Sequence, residues 1–417
     1  MNDHPMADAA PTEASGFSFD AFLSYGFRPF FLFAGLYGAI AMAAWLAWIA
    51  IHAAGGAVVT PTSDLAPHVW HAHEMVFGYT LAVIAGFFLT AVPSWTGSKP
   101  VKGLPLGSLA MLWLAGRGAI WFSAHLPPLL VAVIDTAFVP ALLVLVARAL
   151  LKGWSKRNLV FLPVLGGLFA CNGAVHLERL GVLTGMVPAA HHMAILIVAL
   201  LIVVLGGRVV PAFTMNALKR QGETLLPTSP PLLERAGILS LVALIVAELT
   251  GADAAVIGGL STLAALTNGL RLARWRGGRT LGQPIVWVLH LGFALVVLGL
   301  AAKAWAAFDE GVAVATAMHL LTVGGIGTMT VAIMSRASLG HTGRVIEAPG
   351  LIVAVYVLIP SAALVRLLGP LALPAYYNEL MLTAALLWIT AFALFSWVFW
   401  PILTRPRRRT GAPSEAA

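Results

Sequence analysis

From about residue 30 onward the chain repeats one pattern, a long apolar run followed by a short connection rich in Gly, Pro and charge. Twelve such runs stand out, at 30–52, 72–95, 104–124, 126–148, 159–180, 189–214, 235–251, 254–273, 284–306, 312–334, 350–369 and 379–403. Each approaches the roughly 20 residues a helix needs to cross a hydrocarbon layer about 30 Å thick. The runs are apolar throughout rather than alternating, which predicts helices and argues against a transmembrane barrel. The expected fold is an all-α polytopic membrane protein of about twelve transmembrane helices. The seventh and eighth runs are the least separated, with only Gly251-Ala252-Asp253 between them.

The connections set an orientation. Lys99 and Lys102 follow the second run, and Lys152, Lys156 and Arg157 the fourth. Lys219, Arg220 and Arg235 follow the sixth, and Arg271, Arg274, Arg276 and Arg279 the eighth. Arg336 and Arg344 follow the tenth, and Arg405, Arg407, Arg408 and Arg409 the twelfth. The intervening connections carry almost no cations, Arg179, Lys303 and Arg366 being the exceptions. The positive-inside rule then places both termini on the cytoplasmic side of an inner membrane. Residues 1–27 read as a disordered leader, 28–404 as a twelve-helix membrane domain and 405–417 as a basic tail.

Composition agrees. Hydrophobic residues make up 59% and charged residues 10%, far from the half and quarter of a soluble globule. The net charge of +8 sits in the loops, so it reads as a topology signal and not as a nucleic-acid stripe. The single cysteine, Cys171, lies in an apolar run. It excludes a disulfide framework, a Cys-based metal centre and a CxxCH haem attachment.

Histidines carry the candidate chemistry. His71 and His73 lie at the outer entry of the second run, His176 near the outer end of the fifth, His191 and His192 at the start of the sixth, and His319 within the tenth. Three separate helices thus bring His73, His192 and His319 to similar depth, which suits metal ligation. His176 and His191 are balanced between ligation and a structural role. His52, His68 and His125 read as helix-end residues, His4 falls in the leader, and His290 and His341 stand apart near the inner side. Imidazole serves haem iron, copper and zinc alike, so the residue type does not choose the metal.

Spacing adds a second signal. His73 precedes Thr96, His191 precedes Thr214, and His319 precedes Thr342, each by 23 residues. A four-helix unit repeated three times, or chance, accounts for that. Other intramembrane polar groups support a buried site. Arg117 and Asp135 sit on neighbouring antiparallel runs and either pair with each other, or Arg117 meets a haem propionate. Glu74 is a candidate proton acceptor or an orienter of His73, Glu248 a candidate for proton delivery, and Pro211 is expected to break or bend the sixth helix near Arg208.

At GFRPFFLFAG, WHAHEM, AGFFLTAVPSWTG, GGRVVPAF and MHLLTVGGIGTMTVAIMSRASLGHTGR, from about residue 22 to 404, the sequence resembles the NnrS family. The resemblance implies a bacterial membrane protein containing haem and copper, linked to nitric oxide metabolism and nitrosative stress. By matching motif it singles out His71, His73 and Glu74, then Arg208, then His319, Arg336 and His341. A weaker, fold-level analogy is to the catalytic subunit of haem–copper oxidases and nitric oxide reductases. This chain departs from it, with one His on the tenth helix and none on the seventh.

The leading expectation is a haem b- and copper-bearing redox protein that binds or reduces nitric oxide, fed by a membrane quinol or a periplasmic donor. In it His73 and His319 are axial haem ligands with Arg117 beside the haem, His191 and His192 bind the second metal with His176 and His71 as further candidates, and Glu74 is catalytic. Whether it is an enzyme stays open. The alternatives are a transporter or channel with a structural histidine network, predicting unwound helix breaks at mid-membrane, and a non-catalytic nitric oxide sensor or protective factor.

Overall fold

The computed structural model describes residues 16–57, 62–153 and 156–407. His4, most of the leader, and Arg408 and Arg409 of the tail lie outside them. Among the described residues the chain is helical, with twelve long helices: α1 (Phe27–Ala53), α2 (Pro67–Thr96), α3 (Leu104–Trp121), α4 (Pro128–Lys152), α5 (Phe161–Arg179), α6 (Val187–Arg220), α7 (Pro231–Leu249), α8 (Ala254–Ala273), α9 (Pro284–Phe308), α10 (Val314–His341), α11 (Gly350–Ala372) and α12 (Pro374–Thr404). Each falls on one of the apolar runs. Ten are long and apolar enough to cross a membrane. The other two are α3, which holds Arg117 within its 18 residues, and α7, which holds Glu234, Arg235 and Glu248 within 19. Phe19–Phe22, assigned to the leader from sequence, is a short helix capped by Ser18, whose N–H donates to Thr404 at the end of α12 (3.0 Å).

Packing follows a threefold plan. α2, α6 and α10 touch one another at the centre, and α2 and α10 are the most buried of the candidate spans. The remaining helices surround them, with α1 against α12, α4 against α5 and α8 against α9. Those contacts join three four-helix groups, α1–α4, α5–α8 and α9–α12. Thr96, Thr214 and Thr342 each donate to the carbonyl four residues back, at 2.9, 2.8 and 2.6 Å.

Two of the central helices change winding at the same point. Directly after His73, α2 becomes π-helical over Glu74–Thr80, and directly after His319, α10 does so over Leu320–Gly327. Such wide turns gather at functional sites, because the extra residue turns side chains that a regular helix would point elsewhere. α6 has no such stretch and runs unbroken through Pro211. Of the break or bend expected there, the break is thus corrected: an intramembrane helix tolerates a proline within it. Arg271 on α8 donates to the Val203 carbonyl on α6 at 3.3 Å.

Glycine sets one close approach. A Cβ on Gly299 of α9 would stand 2.6 Å from Leu321 Cα of α10, and one on Gly325 of α10 would stand 3.0 Å from the Val296 backbone. Only hydrogen fits at these two places, and backbone meets backbone there.

Candidate functional site

Four helices deliver a polar cluster to the interior. Asp135 of α4 and Glu74 of α2 are fully enclosed, and Arg117 of α3 lies between them, its Nη1 2.5 Å from Glu74 and its Nη2 on Asp135. The other Asp135 oxygen, Oδ2, accepts from Asn172 Nδ2 and His176 Nε2 of α5, both at 2.9 Å. His73 has an acceptor at each ring nitrogen. Nδ1 is 3.0 Å from Glu74, while Nε2 is 3.1 Å from Asn172 Oδ1 and 3.3 Å from Asp135 Oδ2.

Charge counting sharpens the picture. Two carboxylates face one guanidinium, so with both imidazoles neutral the cluster is one positive charge short, and a buried charge imbalance is costly. A proton on each nitrogen of His73 would supply that charge, and so would a cation. His73, Asp135 and His176 bring three ligand atoms together within 4.8 Å, a group that could hold a metal ion. Yet Arg179 stands 3.2 Å from His176 Nδ1 and can only donate. His176 then carries its hydrogen on Nε2 and gives it to Asp135, a proton-bearing arrangement rather than a ligating one. Arg179 also grips Asp64 through two contacts of 2.7 Å, which ties the cluster to the loop between α1 and α2.

Beside this cluster is a cavity of about 800 Å³ between the first turns of α2, α6 and α10 and parts of α1, α11 and α12. His71, His191, His192 and His319 are on its wall, with His52 and His68. His71 stacks on Trp45 with ring centres 4.6 Å apart, and its Nδ1 is buried without a partner. His191 gives Nδ1 to the Val187 carbonyl (2.8 Å), which leaves Nε2 buried and unpaired. His319 bonds the Ala315 carbonyl through Nδ1 at 2.5 Å. An imidazole whose Nδ1–H is held by a carbonyl one turn back presents Nε2 as a lone-pair donor. His192 differs, because its Nε2 accepts from Lys303 Nζ at 3.0 Å, and Lys303 in turn pairs with Glu248. Arg366 of α11 is also on the wall, its Nη1 buried and unpaired.

The structure therefore divides the residues picked from sequence. His73 and His176 belong to the carboxylate cluster, and His71, His191, His192 and His319 to the cavity. His73 and His319 do not share a chamber, because both nitrogens of His73 are engaged in the cluster. Arg117 pairs with Asp135, as one of its two expected roles had it, and is not a wall residue of the cavity. His191 is the wall residue that borders the cluster, its ring edge-on to that of His73 with centres 6.1 Å apart. Of the inner histidines, His290 meets Thr214 at 2.7 Å, and His341 lies against the rings of Tyr25 and Phe27.

Sequence reasoning overlooked Asn172, Arg179, Lys303 and Arg366 as site residues. Three had a legible signal: Arg179, Lys303 and Arg366 were the cations that broke the charge pattern of the loops. Asn172 had only its polarity within an apolar run.

An all-helical interior of this kind, with paired buried charges beside a histidine-lined cavity, defines a polytopic membrane protein built around a polar centre. Within that class the chain belongs to the NnrS family, whose profile, described as NnrS protein, matches residues 21–407. No curated protein matches it.

Proposed function

We propose that the chain is a haem-bearing redox protein of the bacterial inner membrane that binds nitric oxide in the response to nitrosative stress. Membership in the NnrS family supports a role in nitric oxide-related processes. The observation that carries the finer reading is the cavity, in which imidazoles from three separate helices meet with unpaired, buried nitrogen on His71 and His191.

The wall fits a haem. Its volume of about 800 Å³ and its indole and thioether surfaces, Trp45, Trp388, Met75 and Met318 among them, suit a flat apolar macrocycle. His71 and His319 would hold the iron, and Arg366, with a free guanidinium nitrogen, would meet a carboxylate side arm. Bound there, haem would supply one-electron exchange and reversible binding of a diatomic gas. For a copper ion the free donors are fewer, His191 Nε2 and the thioethers of the cavity wall, a set that favours the cuprous state. The carboxylate cluster would hold and move protons next to the cavity: Glu74 and Asp135 keep His73 oriented, and His176 connects to Arg179. Electrons would come from a membrane quinol or a periplasmic donor.

A carrier would need unwound segments at the cavity. α2 and α10 remain helical past it, with π turns in place of breaks, which favours the redox reading.

The test is the optical spectrum of the purified full-length protein. A Soret band that moves with nitric oxide is expected, and His71→Ala or His319→Ala should lose it while His176→Ala keeps it. A folded preparation without a chromophore after haem supplementation would end this reading. Consumption of nitric oxide with a reduced quinol would then separate a reductase from a protein that only binds.

A further inference from the structure

Beyond the large cavity, further along the same three central helices, lies a second one of about 70 Å³. Its wall runs from Thr80 to Phe87 on α2, from Val198 to Val209 on α6 and from Met329 to Ile333 on α10. Thr80 and Val198 belong to both walls, so the two chambers adjoin. Tyr79 of the larger wall bonds Thr330 of the smaller at 2.6 Å, and this hydroxyl pair ties α2 to α10 where the chambers meet.

The small chamber offers almost nothing to water. Apart from Thr80 and Thr330 its wall is made of apolar side chains and Gly206. Thr80 gives its hydroxyl to the Met75 carbonyl at 2.8 Å. Thr330 stands 2.7 and 2.8 Å from the Ile326 and Gly327 carbonyls, besides Tyr79. Neither hydroxyl proton is left for a guest. A buried water wants two to four polar partners, whereas an apolar cavity stays dry and takes apolar guests such as xenon.

We infer that this chamber is a binding site for a small apolar gas molecule, held on the axis between α2, α6 and α10 next to the histidine-lined cavity. Its volume of about 70 Å³ admits a diatomic molecule. An uncharged gas dissolves in the bilayer and needs no polar path, so an apolar recess adjoining the larger cavity concentrates it there. Only the identity of the gas as nitric oxide rests on the function proposed above. The affinity for an apolar guest rests on the wall alone.

Xenon is the probe. Crystals of the full-length protein pressurised with xenon should show an anomalous peak bounded by Ile84, Ile202 and Met329. Two variants that fill the space from different helices, Ile202→Phe and Val83→Phe, should lose that peak while eluting as monodisperse species with a sharp melting transition. Wild-type crystals with no xenon at this position under saturating pressure overturn the inference, whatever the variants do. So does an unchanged peak in a folded variant. A peak in a protein that binds no haem leaves the gas site standing and removes the redox reading; a nitric oxide-sensitive Soret band without the peak does the reverse.

Discussion

At Asp135, one oxygen accepts from Arg117 and the other from Asn172 and His176, so truncation strands three donors in a closed interior. Asp135→Ala should cost about 3–5 kcal/mol, the range for breaking one side of a buried ion pair. The melting temperature of the detergent-solubilised protein reads this, and a loss no larger than that of a surface substitution would show that the cluster is not the structural centre described. Asp64 offers a graded contrast at the rim. Burial works against its charge, but the Arg179 fork and the Ser123 hydroxyl outweigh that and hold its carboxyl below the ordinary value of 3.8. A carboxyl depressed in the folded state contributes stability above its unfolded pKa and loses it as pH falls through the folded one. The wild type should therefore melt slightly above Asp64→Asn at pH 7, with the gap closing below about pH 4. The effect is small because Asp64 is partly exposed and solvent screens the pair. Of these residues, Arg117 and Asp135 were legible as partners because each is a charge in an apolar run. The bonds of Arg179 to both His176 and Asp64 were not, because they depend on where a loop folds back.

Helices α9 and α10 approach so closely at Gly299 and Gly325 that a methyl group has no room. Gly299→Ala must push α10 outward at Leu321, inside the π stretch that follows His319. Overpacking of this kind costs about 1–3 kcal/mol. It should lower the melting temperature and also disturb His319, so the optical spectrum should change in Gly299→Ala but not in Gly259→Ala, where a Cβ meets nothing within 4 Å. Identical spectra for both would detach the π segment from the cavity. The helices themselves were legible throughout, since an uninterrupted apolar run leaves the backbone no other way to satisfy its polar groups in lipid. Their ends were less so: the sixth run was read as 189–214, yet α6 extends over Val187–Arg220, because the helix continues into polar residues once it leaves the apolar layer. The π turns had no signature in the sequence, as nothing in local propensity distinguishes Glu74–Thr80 from an ordinary turn.

Across the whole molecule, the three helices that share the 23-residue spacing from His to Thr, α2, α6 and α10, pack together at the centre, whereas the Thr-to-carbonyl bond that ends each spacing is one most helical threonines of the chain make. The same plan bears on the span count. α3 and α7, the two long helices that fall short of membrane-crossing character, are third in their respective four-helix groups. That is where a repeat would put equivalent helices, and each carries ionised residues that the interior uses: Arg117 in the carboxylate cluster, Glu248 on Lys303. On the twelve-span expectation, their lower hydropathy follows from the charged residues they bring to the interior. Alkaline phosphatase, active only outside the cytoplasm, separates the two cases. If α3 and α7 cross, fusions after Lys99 and Gly222 should be inactive and fusions after Pro127 and Gly251 active, with the C-terminus inside. Should the fusions on either side of α3 or of α7 behave alike, that helix does not span. The loop charges after α2 and α4 would then lie on opposite faces of the membrane, and the threefold plan would lose its parity.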